Sequence, residues 1–180
     1  MNLPFTPTWE KAAAREGGFG QFRYIFEKDV RKEWERGYGQ LNEGRRMAVR
    51  FWWLIAELNN GGLDQYFWNF SGEFAAETVE DLKRIGQEPA ATILLQASKK
   101  LFGDAPVPSE TRQRRRAIET YYGTHPFNDD DDNARLTHLE DKEDLTTETR
   151  QLDGLRESMA IAIVAWMRAN QSQFSHIKHP

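Results

Sequence analysis

Residues 57–73 read ELNNGGLDQYFWNFSGE, and this stretch decides how two helices of the chain meet. A helix commonly ends at Gly or Asn, because these residues adopt the left-handed conformation at little cost. We therefore expect one helix to end at Asn59 and Asn60, whose polar side chains, together with that of Asn69, satisfy backbone groups at a buried turn. Gly61 and Gly62 then form that turn.

The sequence after the turn predicts a short second helix. Asp64 stands where a capping residue belongs, since its carboxylate can accept from the free N–H groups of the next turn. The run QYFWNF then directs Tyr66, Phe67 and either Phe70 or Trp68 into the core. We call the turn and the start of the second helix the corner. The residues that we assign to its architecture are Asn59, Asn60, Gly61, Gly62, Asp64, Gln65 and Asn69.

The same corner has an alternative interpretation as a small polar pocket, lined by Asn59, Asp64, Gln65 and Asn69. Such a pocket would bind a small molecule or hydrolyse one. The stretch contains no His, Cys or Lys. Glu57 and Asp64 could form a carboxylate pair, but general acid–base catalysis first requires the right geometry, and the sequence does not place them face to face.

Apolar residues recur at three- and four-residue steps along most of the chain, which predicts helices. Residues 43–59 carry the strongest pattern, because Val49, Trp52 and Trp53 add bulk outside the main apolar face. A helix that is apolar on most sides is buried. We find no strand-like alternation longer than a few residues.

These patterns predict an all-α fold, with one compact domain over residues 1–180. We expect about six to eight helices around the central helix near 43–59. A long C-terminal helix begins near Thr146 or Thr147, and residues 172–180 form a flexible tail. Residues 123–134, GTHPFNDDDDNA, form an acidic loop.

Residues 52–86 carry a family resemblance in the run E-x-N-N-G-G-x-D-Q-Y/F-F-x-N-x-S-G, followed by an acidic helix that ends in I-G. The run resembles the signature of a bacterial family of domains of unknown function, typified by a DNA-mimic protein. The resemblance implies an all-helical fold. It also implies an acidic surface that imitates duplex DNA and binds a DNA-binding transcription factor in place of DNA. The resemblance further implies that the protein acts as a homodimer.

The charge of the chain is unevenly distributed. The formal net charge is −4, yet residues 125–160 hold eleven acids and four bases, a net −7. The rest of the chain holds 17 acids and 20 bases, a net +3. This balance argues against direct nucleic-acid binding, which favours basic surfaces. The chain contains no Cys, which fits the cytoplasm. We see no secretion signal and no apolar run that could span a membrane.

The acidic residues are the candidate contacts for a basic DNA-binding protein. A DNA mimic must present carboxylates at roughly phosphate spacing on one rigid face. The candidates are Asp129, Asp130, Asp131, Asp132, Glu140, Asp141, Glu143 and Asp144. Glu148 and, from the family motif region, Glu73, Glu77, Glu80 and Asp81 could extend this face. A solvated acidic loop without a partner is the alternative interpretation.

A calcium site is a second interpretation of the acidic segment. Asp129, Asp131, Asn133 and Glu140 fall at positions 1, 3, 5 and 12 of an EF-hand-like loop. Position 6 calls for Gly to allow the sharp turn, and Ala134 stands there. We therefore assign no metal site. The four histidines show no metal spacing inside an ordered helix.

The arginines just upstream form a cluster: Arg112, Arg114, Arg115 and Arg116. They could contact phosphate. We favour an exposed helix face that pairs with acids, which would weaken the acidic field.

Together these observations favour a non-enzymatic protein-interaction domain that needs no cofactor. By the resemblance, its acidic face binds and blocks a DNA-binding protein such as a transcription regulator. An immunity or inhibitor protein for a toxin is one alternative, since it would use the same charge complementarity. A small-molecule-binding or hydrolytic domain at the Asn59–Asn69 corner is the other.

Overall fold

The computed structural model describes residues 17–122 and 144–174, and within these ranges it contains helices and turns but no strand. There are eight helices in these ranges, which confirms the predicted all-α fold. Helix α1 comprises Gly17–Ile25, a π-helical turn at Phe26–Val30 and a last α-helical turn at Arg31–Trp34. The others are α2 (Glu43–Asn60), α3 (Gly62–Trp68), α4 (Ala75–Arg84), α5 (Glu88–Phe102), α6 (Thr111–Tyr122), α7 (Thr146–Gly154) and α8 (Arg156–Ala169). Short 3₁₀ turns occur at Tyr38–Gln40, Phe70–Phe74 and Gln171–Gln173.

Helix α2 lies at the centre of the fold, as its sequence predicts. Its side chains are buried along most of its length, from Met47 through Leu54 to Leu58. The Asn42 side chain caps the helix, because its Oδ1 accepts from the Arg45 N–H at 2.9 Å. Helices α3, α4 and α8, the π-helical turn and two 3₁₀ turns pack around α2. No helix in the described part of the chain has both the length and the apolar character needed to cross a membrane.

Helices α1 and α8 pack so closely that one glycine is required between them. A Cβ atom at Gly18 would lie 2.8 Å from the backbone nitrogen of Ile161. The Glu157 carboxylate of α8 accepts hydrogen bonds from the backbone N–H groups of Gly18 and, at 3.3 Å, Phe19. Since the first N–H groups of a helix have no partner inside it, Glu157 supplies the missing acceptors for α1.

The C-terminal helical region differs from the sequence prediction in one respect. We expected one long helix from near Thr146, but the structure has two, α7 and α8, separated at Leu155. Leu155 has φ −94° and ψ −1°, and its N–H bonds to Leu152 O, three residues back, at 3.0 Å. This tight turn redirects the chain, so that α7 packs on α5 and α3 whereas α8 packs on α1.

Gln173 and Phe174, which we predicted to belong to a flexible tail over residues 172–180, are held against the fold. Gln173 Oε1 accepts from the Gly44 N–H at 2.7 Å, and its backbone oxygen accepts from Asn42 Nδ2 at 2.8 Å. Phe174 is 1% exposed. These contacts attach the Gln171–Gln173 turn to the start of α2, and residues 175–180 lie outside the described part of the chain.

A buried guanidinium connects α2 to its neighbours. Arg50, 3% exposed, donates to Asp81 Oδ2 at 2.6 Å, to Glu43 Oε1 at 2.7 Å and to the Tyr38 hydroxyl at 2.9 Å. Burial alone would lower the pKa of Arg50, but its hydrogen bonds to the two carboxylates raise the pKa above its usual value. Arg50 therefore stays charged and ties α4 and the Tyr38–Gln40 turn to the central helix.

We predict that Asp81→Ala destabilises the fold. Removing one partner of a buried ion pair leaves the other charge without compensation, so the free energy of unfolding should fall by about 3 kcal/mol. Urea denaturation measures this change. The matched control is Glu80→Ala: its exposed pair with Lys83 should contribute less than about 1 kcal/mol. Equal losses in the two variants would contradict the role assigned to the Arg50–Asp81 pair.

Candidate functional site

The Glu57 carboxylate is the acceptor around which the corner between α2 and α3 closes. It accepts from Gln65 Nε2 at 2.8 Å, from Asn69 Nδ2 at 3.0 Å and from Ser71 Oγ at 3.0 Å. Gln65 and Asn69, two of the four side chains expected to line a polar pocket, are therefore used within the corner itself. This arrangement holds the start of the Phe70–Phe74 turn against α2.

Gly62 makes the close turn at this corner. Its φ is +73°, in the region that favours glycine. A Cβ atom at Gly62 would lie 2.9 Å from Thr149 Oγ1 of α7, and the next residue, Leu63, donates its N–H to the same oxygen at 3.0 Å. Gly61 has φ −163° and needs no left-handed conformation. The turn therefore brings the start of α3 against α7.

The two asparagines before the turn do not act as predicted. Asn59 and Asn60 are the last residues of α2, and both are exposed. Neither side chain makes a hydrogen bond with another described residue. The backbone completes the corner instead, because the Gly61 N–H donates to Glu57 O at 3.0 Å.

Asp64 has a different partner from the one predicted. The N-cap position of α3 belongs to Gly61, and Asp64 lies in the first turn of the helix. Its carboxylate accepts a hydrogen bond from the Tyr122 hydroxyl at the end of α6. Burial raises the pKa of Tyr122, and the nearby charge of Asp64 raises it further, so the phenol remains a donor. Glu57 and Asp64 thus serve separate contacts, one inside the corner and one to α6.

Arg114 lies inside the protein, which corrects the expectation of an exposed arginine face. Its exposed fraction is 0%. Its guanidinium donates to Phe67 O at 2.7 Å, Asn69 O at 2.7 Å and Pro108 O at 2.8 Å. Burial lowers the pKa of Arg114, an effect that the charge of Glu73 partly offsets. The buried cation supplies donors for carbonyl groups at the end of α3 and before α6.

The sequence does contain a signal for the position of Arg114. It precedes Ile118 by four residues, so both side chains share the helix face that is buried. The close approach of Arg114 to the end of α3 also explains why residue 72 of the motif is a glycine. A Cβ atom at Gly72 would lie 2.8 Å from both Arg114 Nε and Phe67 O.

The other arginines of the cluster lie nearer the surface. Arg115 stacks on Trp68, with 4.6 Å between its Cζ atom and the ring centroid. Arg112 and Arg116 are exposed. They line an open surface cleft of about 510 Å³ that also contains the acids Glu110 and Glu119. This mixture of charges is not the uniformly basic surface that nucleic-acid binding favours.

The acidic candidates divide into those that the structure describes and those outside it. The residues outside the described ranges are Asp129, Asp130, Asp131, Asp132, Asn133, Glu140, Asp141 and Glu143. The predicted acidic loop 123–134 and the residues considered as calcium ligands therefore also lie outside the described part of the chain. Asp144 is described: its carboxylate accepts from the Thr146 N–H at 3.0 Å and its backbone oxygen accepts from Lys100 Nζ at 2.9 Å. Glu148 forms an ion pair with Lys100 at 3.3 Å.

The acids of the motif region do not act as one group. Asp81 is buried against Arg50, and Glu80 pairs with Lys83 at 2.6 Å. Glu73 and Glu77 form no ion pair with a described residue, and Glu77 is exposed. Within residues 17–122 and 144–174, no group of three or more His, Asp or Glu side chains is placed to hold a metal ion.

The model of a family described as DMP19-like protein matches residues 39–170, which is more than half of the chain and includes the corner and α3 to α8. No match was found among curated proteins or among solved structures.

We predict that Arg114→Lys destabilises the protein almost as much as Arg114→Ala. A lysine ammonium cannot reproduce the planar fork that reaches several carbonyl oxygens at once, and buried unpaired carbonyls are costly. Each variant should lose about 3 kcal/mol or more in the free energy of unfolding. Arg116→Ala, an exposed control on the same helix, should change it by no more than about 0.5 kcal/mol. Full rescue by lysine would argue against the fork geometry.

We also predict a loss of stability at high pH. Tyrosines in the unfolded chain ionise near pH 10, whereas burial raises the folded pKa of Tyr66 and Tyr122. The stabilisation is complete below the unfolded pKa and is lost as pH rises towards the folded pKa. The free energy of unfolding should therefore fall above pH 10, by about 1.4 kcal/mol per pH unit for each such tyrosine. Denaturation of Tyr122→Phe across this range should show a shallower fall, and an unchanged slope would refute the prediction.

Proposed function

We propose that this chain, which belongs to the DMP19-like protein family, is an interaction domain whose clustered carboxylates imitate DNA and occupy a basic DNA-binding protein. Membership of the family agrees with the resemblance found in residues 52–86. The fold supplies a rigid helical framework, and function depends on the groups that this framework presents.

The observation that carries the proposal is the concentration of negative charge. Residues 125–160 have a net charge of −7, whereas the rest of the chain has +3. Duplex DNA carries about one charge per 1.7 Å of its axis, so a protein that binds DNA through Lys and Arg also attracts a dense set of carboxylates. The proposed contacts are Asp129, Asp130, Asp131, Asp132, Glu140, Asp141, Glu143 and Asp144.

The geometry of the corner supports a non-enzymatic role. The Glu57 carboxylate is surrounded by amide and hydroxyl donors from its own chain, and Asp64 accepts from Tyr122. A general base must instead reach a proton of the substrate. A small-molecule site at this corner would first have to break these hydrogen bonds, so we rank it below the interaction domain.

Three further features belong to the proposal. The partner is a protein, such as a transcription regulator, and not a nucleic acid or a membrane. The domain acts in the cytoplasm, and it acts as a homodimer. A toxin inhibitor would use the same charge complementarity, and the identity of the captured partner separates these two functions.

We predict that replacing Asp129, Asp130, Asp131 and Asp132 by Asn weakens partner binding. The experiment immobilises the full chain and captures DNA-binding proteins from lysate of the native cell, with elution by duplex DNA or by salt. Exposed charges interact strongly only within the Debye length, about 10 Å at 0.1 M salt, so capture should decrease steeply as salt rises. The variant should retain less protein at low salt.

A matched control keeps the total change in charge the same. Glu27, Glu35, Glu88 and Asp104 are four exposed acids elsewhere, and their replacement by amides should leave capture almost unchanged. If both variants lost capture equally, net charge alone would explain binding. If neither lost it, the acidic segment would not be the binding face. A captured nuclease or other toxin would favour the inhibitor function over a transcription regulator.

A further inference from the structure

Five aromatic side chains, from α1, α2 and two 3₁₀ turns, pack together into one continuous surface: Trp34, Tyr38, Trp53, Phe70 and Phe74. Trp53 is at its centre, with ring centroids 5.3 Å from Phe70, 5.3 Å from Tyr38 and 5.8 Å from Trp34. We call this group the aromatic surface. Four of its rings are half-buried, whereas Phe70 is 52% exposed. Because Phe70 belongs to this larger group, it is not an isolated apolar residue on the surface.

The residues on either side of Phe70 are held in place. Asn69 and Ser71 both donate to the Glu57 carboxylate, and Asn69 O accepts from Arg114. The Phe70 ring also packs edge-on against Trp53, with an interplanar angle of 88°. A side chain fixed in this way loses little conformational entropy when a partner binds. The corner therefore holds an exposed aromatic ring in a defined position.

Two acidic residues, Glu73 and Glu77, follow Phe70 along the chain. A 3₁₀ turn has three residues per turn, so Glu73 lies on the same side of the Phe70–Phe74 turn as Phe70. Glu77 follows one turn later, at the start of α4. Neither carboxylate forms an ion pair within the described residues. Glu73 is half-buried whereas Glu77 is exposed, so Glu77 is the carboxylate that is more available to a partner.

Another ring of the aromatic surface, Tyr38, already binds a guanidinium of its own chain. The Cζ atom of Arg46 lies 5.8 Å from the centroid of the Tyr38 ring. Arg115 makes a second such contact, with Trp68. Guanidinium groups stack on aromatic faces because the ring quadrupole attracts the cation, and Arg does this more often than Lys. At Phe70 no such contact exists within the described part of the chain.

We propose that Phe70, together with Glu77 and Glu73, receives an arginine side chain of the partner protein. The guanidinium packs on the exposed part of the Phe70 ring and pairs with Glu77 and Glu73. This inference rests on the proposed function, since it takes the partner to be a basic DNA-binding protein. It adds a second contact, which is separate from the acidic segment and specific for arginine.

The test measures binding of a synthetic oligoarginine peptide to the full chain by calorimetry at low salt. The background is the variant with Asn at residues 129–132, which removes four of the eight proposed acidic contacts. Phe70→Leu keeps an apolar side chain but removes the ring, and it should weaken binding by about three-fold. Phe70→Trp should bind at least as well as the background protein, because Trp is the strongest cation–π partner. Glu77→Gln should weaken binding by about two-fold.

The control is Leu95→Ala on α5, because Leu95 is another apolar side chain that is exposed, by 42%. It should leave peptide binding unchanged. Oligolysine of equal length should respond less to Phe70→Leu than oligoarginine does. Circular dichroism and the unfolding midpoint confirm that each variant is folded.

The outcomes separate this inference from the proposed function. If Phe70→Leu left the affinity for oligoarginine unchanged, the inference would be overturned, even if capture of DNA-binding proteins still depended on residues 129–132. Phe70→Leu could instead weaken oligoarginine binding while the replacement of residues 129–132 leaves the capture of DNA-binding proteins unchanged. That result would support the arginine contact and exclude residues 129–132 as the main binding face.

Discussion

The fold depends on how carbonyl groups at the end of α3 are satisfied. This helix ends against the buried Arg114, and a buried carbonyl without a donor costs about 1–3 kcal/mol. Arg114 provides the donors, and its planar guanidinium reaches Phe67 O and Asn69 O together with Pro108 O. One side chain thus joins the corner, the segment before α6 and α6 itself. The lack of room at Gly72 follows from the same contact, because the guanidinium occupies the space that a Cβ would need.

The corner is held from two sides by groups of opposite charge. The Glu57 carboxylate accepts hydrogen bonds from side chains of the corner, and the Arg114 guanidinium donates hydrogen bonds to its backbone carbonyl groups. Asn69 is shared, since its side chain binds Glu57 and its backbone binds Arg114. Gln65, Asn69 and Ser71 of the family signature therefore satisfy the Glu57 carboxylate of the same signature, and this explains how these polar residues specify the shape of the corner.

The sequence allowed the helices to be predicted because their signal is local. The apolar repeat of residues 43–59 and the glycines after it were sufficient to place α2 and the corner. The partners of the polar groups depend on contacts between distant residues. Asp64 resembled a cap by its position in the sequence, but the hydroxyl that it binds is 58 residues away. Arg114 resembled its exposed neighbours in a charged run, although its spacing from Ile118 placed it on the buried face. The proposed acidic contacts at residues 129–143 remain a sequence prediction.

Tyr122 and Asp144, the described residues that flank positions 123–143, are each anchored to the framework. Tyr122 is bound to Asp64, and Asp144 is bound to Lys100 and Thr146. The framework therefore fixes the positions of Tyr122 and Asp144 through three separate helices, α3, α5 and α7, which carry Asp64, Lys100 and Thr146.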